Sequence, residues 1–120
     1  MSKLPAAIGP YATHRLVNGL LFTSGQIPLN PETGDLVGPT IEEQTQQVLA
    51  NLKAVLALEG LDFSSVIKTT VLLTDMADFA QVNAVYAEHF SQPYPARTCY
   101  QVVKLSKDAK IEIELIAQVN

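Results

Sequence analysis

Ile111, Ile113, Leu115, Ala117 and Val119 occupy every second position near the carboxyl end of the chain, with Glu112, Glu114, Ile116 and Gln118 between them. Side chains of a strand point alternately to opposite faces, so this period of two predicts a strand with one wholly apolar face. That face has to be covered, and two helices are available to pack on it. Thr40 and Glu43 carry the S/T-x-x-E spacing of a capping box. Val48, Leu52 and Val55, joined by Leu49 and Leu56, follow at steps of three and four, and Gly60 supplies a stop. Asp75 or Asp78 can start a second helix running to about Phe90, with Phe79, Val82, Tyr86 and Phe90 as its inner stripe.

The remaining elements are strands. Residues 13–18 and 20–25 flank Asn18-Gly19, a tight-turn pair. The β-branched run from Val66 to Thr74 reads as a buried strand. Pro93 and Pro95 end the second helix, and strands follow at about 97–103 and 110–119. The order ββ-α-β-α-ββ predicts an α+β domain with both helices on one face of a sheet. The strand at 66–74 carries apolar groups on both faces, Ile67, Val71 and Leu73 against Val66 and Leu72. Two helices cover one side, so the half-apolar second side calls for another subunit.

The chain has 120 residues, suited to a single domain, and 48% of them are hydrophobic, enough for a core. The formal net charge of −4 argues against a general nucleic-acid binder, which needs a basic stripe to neutralise phosphates. One cysteine, Cys99, excludes an internal disulfide framework. No apolar stretch approaches the ~20 residues that span a bilayer, and Met1 to Pro10 lack the apolar core of a secretory signal. The expectation is a soluble cytoplasmic protein.

Two positions stand out chemically. Arg97 follows Pro95 at the mouth of a strand, where its backbone is stiff and its fork pre-aimed; a guanidinium grips a planar carboxylate with two parallel hydrogen bonds. The plain alternative is a surface salt bridge. Glu112 is either part of a solvated outer face with Glu114 or a carboxylate that holds a water. Were residues 97–103 and 110–119 a simple hairpin, Arg97 would lie ~17 Å along the ladder from Glu112, too far for one small substrate. Either the strands pair differently, or the two residues meet across a subunit boundary. Cys99 shares a face with Arg97 by alternation. As a nucleophile it needs a base, His14 or His89, neither in a recognisable motif; as a small packed residue it needs none. Ser24 offers a hydroxyl and Gly25 lets a ligand approach the backbone. Tyr11 can form a wall or lid, and Asn83 lies beside the inner stripe of the second helix, where a buried hydrogen bond is the plain explanation. There is no Walker loop, no G-x-G-x-x-G and no zinc-ligand spacing.

Ile8-Gly9-Pro10-Tyr11, Thr23-Ser24-Gly25-Gln26-Ile27, Gln47 to Lys53, Lys68-Thr69-Thr70-Val71, Asp78-Phe79 to Asn83, Pro95-Ala96-Arg97 and Ile111-Glu112-Ile113-Glu114 occur in one order along almost the whole chain. In these segments the sequence resembles the Rid family, the reactive intermediate deaminases of RidA (YjgF) type. The resemblance implies a chorismate-mutase-like α+β fold and a homotrimer with sites in the clefts between subunits. It implies hydrolysis of 2-imino acids, such as 2-iminopropanoate and 2-iminobutanoate, to 2-oxo acids and ammonia, with no cofactor. On this chain Arg97 would hold the substrate carboxylate and Glu112 would orient the attacking water. Tyr11, Ser24, Gly25, Asn83 and Cys99 would line the pocket. Ser106 stands where many relatives have proline, a change expected to touch no site residue, and Thr98 stands where serine is common. A non-catalytic trimer that binds 2-oxo acids as a regulator is the competing function, and a ribonuclease or translation inhibitor the third.

Overall fold

The computed structural model describes residues 4–119; Met1 to Lys3, part of the amino-terminal stretch read above, and Asn120 lie outside the described residues. Five strands and two α-helices alternate as expected: β1 (His14–Val17), β2 (Leu20–Thr23), α1 (Ile41–Leu58), β3 (Val66–Leu73), α2 (Phe79–Tyr86), β4 (Ala96–Gln101) and β5 (Ile111–Gln118). The strands form one mixed sheet in the order β1-β2-β5-β3-β4. Asn18 and Gly19 both have positive φ, 50° and 77°, which is the two-residue turn that joins β1 to β2.

α1 begins and ends as its sequence dictates. The Thr40 hydroxyl accepts from the Glu43 amide at 3.1 Å while Glu43 accepts from the Thr40 amide, closing the capping box. At the far end the Leu61 amide donates to the Leu56 carbonyl and the Gly60 amide to the Ala57 carbonyl. Gly60, at φ 70°, makes that reversal possible. The second helix divides: Asp75 caps a short 3-10 turn through the Ala77 amide at 2.9 Å, and Asp78 precedes α2 without a side-chain cap bond. α2 stops at Tyr86 rather than Phe90, but hydrogen-bonded turns continue and keep Phe90 on the buried stripe. Val85 joins it.

The core lies between the helices and one sheet face. Ile111, Ile113, Leu115 and Ala117 of β5 pack with Leu49, Leu52 and Leu56 of α1 and Val82 of α2. β3 departs from simple alternation. A bulge between Val66 and Lys68 turns Val66 inward together with Thr69, Val71 and Leu73. Ile67, expected on the same face as Val71, is exposed instead, because the bulge shifts the phase of everything before it. β4 runs parallel to β3 and does not touch β5, so the hairpin considered above does not exist. The chain reaches β5 by a crossing loop, and β5 inserts between β2 and β3.

The opposite sheet face carries Phe22, Ile116, Lys68, Thr70 and Leu72 with Glu112 and Glu114. A second small core of Ile27, Leu29, Leu105 and Ala109 packs against Leu72 and covers one end of it. The buried amide of Asn51 donates to the carbonyls of Ile27 and Leu29, pinning that segment to α1. Phe22 and Tyr100 remain 40% and 50% exposed. No helix among the described residues is long and apolar enough to cross a membrane.

Leu52 is fully buried at the helix–sheet contact. Leu52→Ala is expected to lower the free energy of unfolding by about 3 kcal/mol, read from denaturant melts at fixed protein concentration.

Candidate functional site

Two cavities of about 450 Å³ each divide the residues singled out in the sequence. Tyr11, Ser24, Gly25 and Glu112 line the first, together with Glu114 and Ser106. Asn83 and Arg97 line the second, together with Tyr86 and Tyr94. Cys99 lines neither.

The first cavity follows from how residues 23–26 run beside β5. The Gln26 amide and carbonyl both bond Ile113, but the Leu115 amide goes to the Thr23 hydroxyl at 3.0 Å rather than to a backbone carbonyl. The segment bows outward between those anchors, and the Glu112 carboxylate lies against Gly25. A Cβ on Gly25 would occupy the space of that carboxylate, so here glycine serves the glutamate and not only a ligand. Ser24 donates its hydroxyl to the Ala12 carbonyl at 2.6 Å, which ties the Tyr11 segment to the cavity wall. Burial raises the proton affinity of Glu112 above the ordinary carboxylate value, and the charge of Glu114, two residues on and on the same face, raises it further. Ser106, expected to touch no site residue, lies in the loop before β5 and is among the residues that line this cavity.

The second cavity is built by α2 and β4. Arg97 pairs in register with Thr69 and Cys99 with Val71, so both point to the helix side of the sheet. Arg97 Nη1 donates to Asn83 Oδ1 at 2.8 Å. Its guanidinium carbon lies 4.9 Å from the ring centroid of Tyr86 and 5.4 Å from that of Phe79. These partners orient the fork without cancelling its charge, since an amide oxygen and two rings carry no formal charge. The salt-bridge alternative for Arg97 is therefore replaced by a neutral clamp. Asn83, given a structural hydrogen bond as its plain alternative, makes that bond to Arg97 itself.

Cys99 packs against the core, and burial pushes its thiol up while Arg97 pulls it back. His14 is bound to Glu59 at 3.0 Å, and β1 lies at the opposite edge of the sheet from β4. His89 bonds Gln46 at 2.9 Å. Neither serves as a base for Cys99, which reads as a packed thiol. No group of three or more His, Cys, Asp or Glu among the described residues could hold a metal ion.

Within the chain Arg97 and Glu112 do not meet. Leu72 is opposite both Glu112 and Tyr100, so Arg97 sits three residues back along β4 and two strands across. The backbones are on the order of 14 Å apart from standard strand spacings, and the side chains leave opposite faces of the sheet. Sequence reasoning missed Tyr86, Tyr94 and Glu114 as cavity residues and Phe79 as a partner of Arg97. Three of them sat in the apolar stripe or beside a proline, where packing explained them, and Glu114 was read with the solvated face.

An antiparallel-rich five-stranded sheet with two helices on one face, and with Arg97 lining one cavity and Glu112 and Glu114 another, defines an α+β class. Comparison with known proteins makes the class specific. The family model described as Endoribonuclease L-PSP matches residues 1–119. The chain is 52% identical over 115 residues to Reactive Intermediate Deaminase A, chloroplastic, of Arabidopsis thaliana, covering 96% of this chain but 62% of that protein's length. It is 51% identical to a candidate regulator, AldR, of Lactococcus lactis, over 96% of this chain and 91% of that one. It is 45% identical to the human 2-iminobutanoate/2-iminopropanoate deaminase, over 97% and 85%. The crystal structure of the YjgF gene product of E. coli superposes with a TM-score of 0.91 at 43% identity, covering 100% of this chain and 96% of that one. The chain belongs to the Rid family of RidA/YjgF type.

The direction of the Glu112 shift fixes a pH dependence. Its folded proton affinity exceeds its unfolded one, so its contribution to stability is full at pH below the ordinary glutamate value. It is lost as pH rises through the raised folded value. Glu112→Gln is expected to flatten the fall in stability across that window, in urea melts at a series of pH values. Glu114→Gln should move the Glu112 carboxyl titration part of the way back down, read by carbon-detected NMR.

Proposed function

We propose that this protein hydrolyses 2-imino acids, including 2-iminopropanoate and 2-iminobutanoate, to 2-oxo acids and ammonia. The site is a cleft between protomers of a homotrimer, where the Arg97 half-cavity of one chain faces the Glu112 half-cavity of the next. The observation that carries the reading is the Glu112 carboxylate, held against Gly25 in a cavity that raises its proton affinity. Simple binding of a carboxylic acid needs Arg97 and has no use for such a group. The 45% identity to a human protein named for this activity supports the same reading.

The chemistry follows from the two groups. Arg97 takes the substrate carboxylate with the fork that Asn83 and the rings orient, which turns attack by water into a positioned event. The imine carbon is already electrophilic. As the C–O bond forms and the C=N π pair moves to nitrogen, Glu112 takes a proton from the water and passes it to that nitrogen, giving a carbinolamine. It then takes the hydroxyl proton and delivers it to the same nitrogen as the C–N bond breaks and the C=O bond forms. One water is consumed and one ammonia leaves. A carboxylate with raised proton affinity does both steps better than one that stays ionised far below neutral pH. Tyr11, Ser24 and Gly25 wall the glutamate side, Asn83 steadies the arginine side, and Cys99 stands behind Arg97 as packing. The interface uses the sheet face opposite the helices, whose exposed Phe22 and Tyr100 need a cover.

The regulator name borne by a relative 51% identical favours a second reading, a trimer that binds 2-oxo acids without turnover. A ribonuclease reading follows the family description but meets a net charge of −4, which repels phosphates.

Ammonia and oxo-acid release is measured with an amino-acid oxidase or dehydratase as the imine source. Turnover above the spontaneous rate is expected. Arg97→Ala should lose about a hundredfold in kcat/KM. Glu112→Gln should lose about 10²-fold or more in kcat while keeping affinity for a stable 2-oxo acid. Equal rates for Arg97→Ala and wild type refute the assignment, and 2-oxo acid binding without turnover selects the regulator. Sedimentation equilibrium is expected to give three chains per particle; a stable monomer at micromolar concentration removes the shared cleft.

A further inference from the structure

Tyr86 enters the sequence as one more member of an apolar helix stripe, yet its contacts go beyond packing. Phe79, Asn83 and Tyr86 stand at positions i, i+4 and i+7 of α2, one continuous face of a helix. All three touch Arg97: the two rings lie under the guanidinium at 5.4 and 4.9 Å, and the amide between them takes an N–H at 2.8 Å. The Tyr86 hydroxyl shares a 2.8 Å hydrogen bond with the Thr69 hydroxyl, and Thr69 is fully buried. Thr69 is also the residue that pairs with Arg97 across β3 and β4. Phe90 stacks on Tyr86 at 4.3 Å and 21°.

We propose that Tyr86 is a positioning residue, which with Phe79 forms an aromatic cradle that sets the plane of the Arg97 guanidinium. The Tyr86–Thr69 bond locks the cradle to the strand rung from which Arg97 projects. The inference rests on the proposed function, in which Arg97 receives a substrate carboxylate.

The physical case has three parts. An arginine side chain is long and has many rotamers, so a fork that must meet a planar carboxylate loses affinity if it is free to turn. Ring faces attract a guanidinium and favour stacking, and the Asn83 amide then fixes rotation within the plane. A phenylalanine at position 86 would keep a ring face against the guanidinium, and the tyrosine hydroxyl adds a bond that satisfies the buried Thr69 side chain and ties the ring to β3. No acidic partner is used, so the full positive charge stays available to an anion. Holding the fork with carboxylates would do the same mechanical work and spend that charge.

The test is calorimetric titration of the full-length protein with 2-oxobutanoate, alongside the thermal midpoint and the kcat and KM for an imine of each variant. Wild type is expected to bind and Arg97→Ala to lose binding. Tyr86→Leu should weaken binding about three- to thirtyfold, the range of a partly desolvated cation–π contact, with the loss falling mainly on KM. Tyr86→Phe should recover most of that affinity. Phe79 is only partly buried, so Phe79→Leu keeps the fold and should show a smaller loss in the same direction at a near-unchanged thermal midpoint. That variant decides the matter if Tyr86→Leu does not fold. Leucine variants that bind like wild type while Arg97→Ala does not overturn the cradle alone, as does a Tyr86→Phe variant no better than Tyr86→Leu. Arg97→Ala binding like wild type, or wild type failing to bind, overturns the proposed function and the cradle with it.

Discussion

The insertion of β5 between β2 and β3 is the constraint on which the rest of the molecule depends. Backbone bonds on both edges hold this strand in one register, with Ile113 opposite Val71 and Glu112 opposite Leu72. A slip of one residue would send Glu112 and Glu114 into the helix-covered core and bring Ile111, Ile113, Leu115 and Ala117 out. The cost of burying two carboxylates makes the register unique. Stability and chemistry are thus set by the same alternation: one face of β5 anchors the core, and the other presents its acids.

The two halves of the proposed site are tuned by different physics. On the helix side, Arg97 is surrounded by uncharged partners and keeps a full charge to offer. On the other side, partial burial and a like-charged neighbour raise the proton affinity of Glu112. Each environment leaves its group unsatisfied within one protomer, and the unsatisfied qualities are complementary: a cation that lacks an anion, and a carboxylate prepared to exchange a proton. A small imino acid has a negative end and a reacting carbon that takes on and releases protons, so it matches the pair. The sheet separating them explains why a second chain belongs in the proposal.

Buried polar side chains tie the loops to this frame. Asn51 reaches from α1 to the carbonyls of Ile27 and Leu29, and Gln44 links the Gly38 carbonyl to the Lys110 amide just ahead of β5. Each replaces a backbone partner that an irregular segment cannot supply for itself. The segment after Gly25 and the approach to Glu112 are thereby held from the helix layer, through amides that are nearly or fully shielded from water.

Local rules read directly from the chain account for much of this. The Thr40–Glu43 box, the Gly60 reversal, the Asn18-Gly19 turn and the two faces of β5 are properties of neighbouring residues, and neighbours in sequence are enough to determine them. Arg97, Glu112, Ser24, Gly25, Tyr11 and Asn83 were singled out through a residue type in a stiff setting or through likeness to a family, and they line the two cavities. The β3 bulge that exposes Ile67, the parallel course of β4 and the division of the site between two sheet faces were not visible in this way. Those depend on which strand pairs with which, a contest among segments far apart in the chain that hydrogen bonding and core packing resolve together. Sequence alone settled which side chains point the same way along an unbulged strand such as β5; the tertiary structure decided where a bulge breaks that alternation and which strands lie side by side, and so turned an arginine and a glutamate close in sequence into groups that face away from each other.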